Sequence, residues 1–179
     1  ISFNSYYGVQ EVQKTLPPIT GQEYITLQND MMYARGIASG YGYWGVSANP
    51  VDYPSTNWQD EIYRSAVVKN YDLSIRGGTD KTKFSVSGSY FDQGGIVINT
   101  GYKRYSGRVN IDNKISDKFS VGISSSFSNA TSNRVNNDNN IYGVVSGSVL
   151  LGPHVPVKNA NGTWGGDPVS SVDNPVASA

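Results

Sequence analysis

The side chains able to do chemistry are few and scattered. His154 is the single histidine and cysteine is absent, so almost no donor set for a transition metal can be assembled. A Ser-His-Asp arrangement would rest on that one imidazole. It lies between Pro153 and Pro156 with no nucleophile elbow beside it, and a structural or solvent-exposed histidine is expected. Asp60 and Glu61 are adjacent carboxylates, but neighbours on a helix point to different faces, so solvated charge is expected rather than an acid/base pair. Gly40 to Gly45 fits G-x-G-x-x-G, yet it neither follows a strand nor opens a good helix, as a phosphate cradle requires. Val135 to Asn140 is oxygen-rich like a calcium loop but lacks the glycine and closing glutamate of the helix-loop-helix site. No cofactor, metal or catalytic residue is assigned, and an enzyme is not expected. What remains for recognition is aromatic: Tyr41, Tyr43, Trp44 and Trp164, whose ring faces suit sugars or partner side chains. The ordinary alternative is packing within their own loops.

The elements that position these residues are dominated by one pattern. From Asn70 to Ser128, four segments alternate apolar with small polar residues. Tyr71, Leu73 and Ile75 oppose Asp72, Ser74 and Arg76. Phe84, Val86, Gly88 and Tyr90 oppose Ser85, Ser87 and Ser89. Tyr105, Gly107, Val109 and Ile111 oppose Ser106, Arg108, Asn110 and Asp112. Phe119, Val121, Ile123 and Phe127 oppose Ser120, Gly122, Ser124 and Ser126. A period of two over four segments predicts an antiparallel sheet with one apolar face. Only 37% of residues are hydrophobic, fewer than the roughly 45–50% of an ordinary packed domain. The net formal charge is zero, which argues against a nucleic-acid partner.

The rest of the chain reads as connections. Residues 1–9 alternate and predict a first strand. Thr20 with Glu23 makes a capping box opening a helix with Tyr24, Leu27, Met31 and Ala34 near one face, stopped at Gly36. Thr56 with Gln59 predicts a second box and a short helix bearing Trp58 and Ile62. Asn140 can cap a helix from Ile141 to Leu151, ended by Gly152-Pro153. Asn161-Gly162 predicts a small hairpin turn.

What the apolar face touches decides the function. In a soluble sandwich it packs on a second sheet; in a membrane barrel it meets lipid while the other face stays wet. Strand repeats of about 9–11 residues suit a tilted crossing. The apolar faces read as uncharged, with Arg76, Arg108 and Asp112 opposite. Tight turns (Gly77 to Lys81, Asn113 to Lys118) lie at one end and a longer excursion, Asp92 to Gly101, at the other. Tyr71, Tyr90, Phe91, Tyr102 and Tyr105 gather near strand ends as an aromatic girdle would. The pattern therefore favours a barrel, with Tyr71, Leu73, Ile75, Phe84, Val86, Val109, Ile111, Val121, Ile123 and Phe127 facing lipid.

Trp58 to Arg64, Asn70 to Gly78, Ser89 to Val97 and Tyr102 to Asn110 together resemble the SusC/RagA family of TonB-linked outer-membrane transporters. Val144 to Val157 and Asp173 to Val176 are similar to the family's next extracellular stretch. The resemblance implies an antiparallel transmembrane barrel of about 22 strands with short helices in extracellular loops. Residues 1–179 would form its first five strands or so, with plug and remaining strands elsewhere. It implies a multi-pass protein of the bacterial outer membrane, with loops at the cell surface. Its partners would be the rest of the barrel and its plug, a SusD-like surface lipoprotein, TonB and outer-membrane lipid. Oligosaccharides or peptides would be the cargo. Alternatives are a non-importing barrel subunit of an assembly or secretion complex, and a soluble glycan-binding sandwich.

Overall fold

The computed structural model describes residues 1–36, 49–136, 143–167 and 170–179. The chain divides into two compact units, one of residues 1–11 and 65–134, the other of residues 12–64 and 135–179.

The first unit is one antiparallel sheet. Strands β1 (Ser2–Gln10), β2 (Ala66–Gly78), β3 (Thr82–Gly94), β4 (Gly101–Ser116) and β5 (Phe119–Asn133) lie side by side in chain order. The all-β expectation holds here. The strands are longer than expected, however: β2 and β3 have 13 residues, β4 has 16 and β5 has 15. Backbone amides pair whatever side chain they carry, so the hydrogen-bond ladder runs on after the alternation of side chains has ended. For the same reason the β3–β4 connection shrinks to residues 95–100, closed by the Gly95 N–H donating to the Thr100 carbonyl at 3.0 Å. The β2–β3 turn is tight because Gly78 adopts φ +155°, where an added Cβ would lie 2.2 Å from the Thr82 carbonyl oxygen.

The second unit is built from short helices and loops. Helix α1 (Gly21–Ala34) carries the expected capping box: Thr20 Oγ1 accepts from the Glu23 N–H at 3.1 Å, and Glu23 Oε2 accepts from the Thr20 N–H at 2.7 Å. Its buried stripe is Gly21, Ile25 and Met32 rather than the expected Leu27, Met31 and Ala34, which are exposed. The reason is steric: at Gly21 an added Cβ would meet the Pro54 carbonyl oxygen at 1.8 Å, so this close approach orients the helix.

Helix α2 (Trp58–Ile62) buries Trp58 and Ile62 as expected and leaves Asp60 and Glu61 exposed. The second capping box does not form. Thr56 Oγ1 instead donates to the Val155 carbonyl at 2.7 Å. Gln59 clamps Leu16, accepting from its N–H and donating to its carbonyl, both at 2.9 Å. Helix α3 (Val144–Leu150) starts later than expected, behind Gly143; Asn140 and Ile141 lie outside the described residues. Helix α4 (Pro175–Ser178) was not expected, although Asn174 before Pro175 is an N-cap followed by a favoured first-turn proline.

Trp58, Leu151 and Val155 form the core of this unit, flanked by Val157, Val172 and Val176. The Trp58 indole donates to the Gly152 carbonyl at 3.1 Å. Buried Asn174 donates to the carbonyls of Val157 and Gly165 at 3.0 and 2.9 Å, and its Oδ1 caps α4. At Gly165 an added Cβ would sit 1.8 Å from the Pro156 carbonyl oxygen. Gly165→Ala should therefore destabilise this unit by about 1–3 kcal/mol, seen as faster amide exchange across Val144–Leu151 at neutral pH. Unchanged exchange would contradict the packing described.

Candidate functional site

Register carries the alternating residues into rows. Across β1 to β5, Ser5, Tyr71, Tyr90, Tyr105 and Asn129 align; two residues along, Phe3, Leu73, Gly88, Gly107 and Phe127 align. Next come Ile75, Val86, Val109 and Ser125, then Gly77, Phe84, Ile111 and Ile123, with Val121 opposite Asn113 beyond them. The ten residues assigned to the apolar face share one side of the sheet, and each is exposed, between 36% for Val109 and 68% for Phe127. Two rings cover neighbouring glycines. A Cβ at Gly107 would fall 2.2 Å from the Phe127 ring, and one at Gly77 would fall 2.9 Å from the Phe84 ring. The tyrosines form a contiguous row, with centroids 6.3 Å apart for Tyr71–Tyr90 and 4.8 Å for Tyr90–Tyr105.

Two expectations about this face change. Phe91 and Tyr102 are not in the aromatic row; they sit on the opposite face, 6.0 Å from each other, with the Arg104 guanidinium 5.9 Å from the Phe91 centroid. Nor is the apolar face free of charge along its whole length. The extended ladder places Lys69, Asp92 and Lys103 on it, one step past the tyrosines.

The opposite face is polar throughout its middle. Asn4, Asp72, Ser89, Ser106 and Ser128 share a row, followed by Ser2, Ser74, Ser87, Arg108 and Ser126. Ser89 and Ser106 hydroxyls lie 2.6 Å apart, and Ser124 donates to Asn110 at 2.7 Å. A concavity of about 200 Å³ opens here, lined by residues including Asn4, Asp72, Ser87 and Arg108.

In the second unit, His154 is structural. Its ring stacks on Tyr24 at 4.8 Å and meets Tyr53 edge-on at 6.2 Å. Nε2 lies 3.9 Å from Asp167 Oδ2, itself buried, and Nδ1 has no hydrogen-bond partner among the described residues. Burial pushes the imidazole below its ordinary pKa, opposed by the Asp167 carboxylate. Burial, and then Asp167, raise the Tyr24 phenol.

Of the four loop aromatics, Tyr41, Tyr43 and Trp44 lie outside the described residues, as does the Gly40 to Gly45 stretch and most of Val135 to Asn140. Trp164 is 47% exposed, with the Lys158 ammonium 4.7 Å from its ring centroid. It closes the expected hairpin: Lys158 pairs with Trp164, and Gly162 turns at φ +84°. Among the described residues no cluster of three or more His, Asp or Glu could hold a metal. No described helix is long and apolar enough to cross a membrane, a fact without bearing on strands.

These features define a two-faced antiparallel wall with a loop unit, and comparison with known proteins points the same way. No family model matches the chain. TonB-dependent receptor P3 of Formosa agariphila is 30% identical over 186 residues, taking in all of this chain and 17% of that protein. TonB-dependent receptor P26 of the same organism is 29% identical over 180 residues, covering 99% of this chain and 17% of that protein. TonB-dependent receptor SusC of Bacteroides thetaiotaomicron is 26% identical over 160 residues, or 88% of this chain and 14% of that protein. Among solved structures, the RagAB peptide importer in its closed-closed state superposes with a TM-score of 0.63 at 23% identity, over 90% of this chain and 21% of that one. The chain is thus SusC/RagA-like along its length and shares that fold, while spanning less than a fifth of each of the curated relatives.

His154 sets the pH response of the loop unit. Its folded pKa lies below the ordinary value of about 6.5, so the unfolded state binds the proton more readily. Stability is full above that value and falls as pH drops below it. Protection factors of the amides around His154, taken relative to their intrinsic exchange at each pH, should fall on acidification, and His154→Gln should remove that dependence. A pH-independent wild type would contradict the buried neutral imidazole.

Proposed function

We propose that this chain is the opening stretch of the barrel wall of a SusC-type TonB-dependent transporter in the bacterial outer membrane. The observation that carries this reading is the apolar face from Tyr71 to Phe127, which stays open while every strand between the edges is paired on both sides. A soluble sandwich needs a second sheet on that face; the described strands form a single sheet. On β5 the face runs from Phe119 to Phe127, roughly 27 Å or about 20 Å at the usual tilt, close to the roughly 25 Å lipid-facing band of such barrels. In this reading the ten apolar residues meet hydrocarbon, and the serine-lined face meets water or a plug supplied by further chain.

Further strands, to about 22 in all, would close the barrel, because open edges are not tolerated in lipid. The second unit would lie outside the cell, as long loops do, facing a SusD-like lipoprotein. Cargo would be an oligosaccharide or a peptide, the latter suggested by the RagAB importer, with TonB supplying energy. Trp164, together with Tyr41, Tyr43 and Trp44, would serve cargo or cap. A barrel that scaffolds an assembly without importing shares all wall features; loss of oligosaccharide or peptide uptake in a deletion strain would favour import, and unchanged uptake the scaffold.

The wall reading makes adjacent positions respond oppositely. Val86→Arg should cost about 2–4 kcal/mol at the lipid face and reduce the folded, heat-modifiable protein in outer membranes. Ser87→Arg, one residue on and facing the other way, should assemble normally. Equal effects of the two would refute a lipid-facing Val86.

A further inference from the structure

The row beyond the tyrosines has a chemistry of its own. Tyr7 pairs with Lys69, Lys69 with Asp92, Asp92 with Lys103, and Lys103 with Thr131. Residues two apart on a strand share a face, so Lys69, Asp92 and Lys103 stand beside Tyr71, Tyr90 and Tyr105 on the apolar side. The Tyr90 hydroxyl donates to Asp92 Oδ2 at 2.9 Å. The tyrosine holds one oxygen of the carboxylate, neither lysine is paired with it among the described residues, and the two ammonium groups outnumber the one carboxylate between them. Lys69 and Lys103 flank β3, so their backbones lie about 10 Å apart. The pair carries a local excess of positive charge in a chain whose net charge is zero.

We propose that Lys69 and Lys103 form a binding site for the phosphate groups of a lipid headgroup, with the tyrosine row between those phosphates and the acyl chains. The site's place on the sheet selects the ligand. A soluble phosphate gains nothing from an apolar face one step away, whereas a phosphorylated lipid satisfies both rows at once. It lies at the end of the strands that carries the long connections, the outer-leaflet side for an outer-membrane barrel. A lysine near such headgroups contributes about 1 kcal/mol, screened by salt. The proposal rests on the wall reading given above.

Native mass spectrometry on the detergent-purified full-length protein tests it, with lipid A and its dephosphorylated form as probes. The wild type should retain lipid A and discriminate against the dephosphorylated form. Lys69→Gln or Lys103→Gln should weaken retention about fivefold, and the pair about thirtyfold. Lys69→Arg with Lys103→Arg should bind as the wild type does. Inorganic phosphate at the same concentration should not displace lipid A. The proposal is overturned if the double glutamine variant, still heat-modifiable and detergent-dependent, holds lipid A as the wild type does. It is overturned equally if both forms of lipid A bind alike, or if free phosphate competes on equal terms. In those cases the wall reading stands; a protein recovered without detergent would remove both.

Discussion

The structure depends on a separation between backbone and side chains. Each interior strand closes its amides and carbonyls onto two neighbours, so the backbone needs nothing from the medium. The side chains are then free to divide by face, and one of those faces holds Leu73, Ile75, Val86, Val109 and Ile123, all exposed among the described residues. In water such a face would drive association, since contiguous exposed apolar surface is costly. In hydrocarbon the same face is neutral and the paired backbone becomes the requirement. Glycines fit the same logic: Gly107 and Gly77 are covered by the Phe127 and Phe84 rings, which keeps the face continuous where two strands lack side chains.

The second unit is held by a different physics. Its apolar core is small, and polar side chains bridge the residues far apart in sequence. Thr56 reaches Val155, the Trp58 indole reaches Gly152, Gln59 clamps Leu16, and Asn174 holds the carbonyls of Val157 and Gly165. Each is a buried or half-buried amide, indole or hydroxyl that finds its partners within the unit. Close approaches at Gly21 and Gly165 complete the packing. His154, stacked on Tyr24, is a structural element of this unit.

How far these features can be read from sequence follows from what each depends on. The strands were legible because period two is written in consecutive residues, and the first capping box because Thr20 and Glu23 are three apart. Strand ends were not, since the ladder from Ala66 to Gly78 is indifferent to the polarity of Lys69 and Asn70. Alternation read only where it is apolar stops short of the charged row, and Phe91 and Tyr102, one residue off Tyr90 and three off Tyr105, fall on the other face by that odd offset. The second box at Thr56 failed because its hydroxyl and Gln59 are claimed by Val155 and Leu16, partners that no local pattern announces. The stripe of α1 was misplaced because Gly21, not a large side chain, decides which way the helix leans.

These 179 residues contain no cysteine, so once any cysteine elsewhere in the full-length protein is replaced by serine, labels placed in this stretch measure the central claim directly. Single cysteines placed one at a time from Tyr105 to Asp112 in the full-length membrane-embedded protein can be spin-labelled and tested for collision with oxygen and with an aqueous nickel chelate. Oxygen contact should alternate, high at 105, 107, 109 and 111 and low at 106, 108, 110 and 112, with nickel contact rising at those even positions that meet water rather than plug. Odd positions shielded from both reagents, or wetted like their neighbours, would mean that this face is covered by protein or open to water, and the membrane-wall account would be wrong.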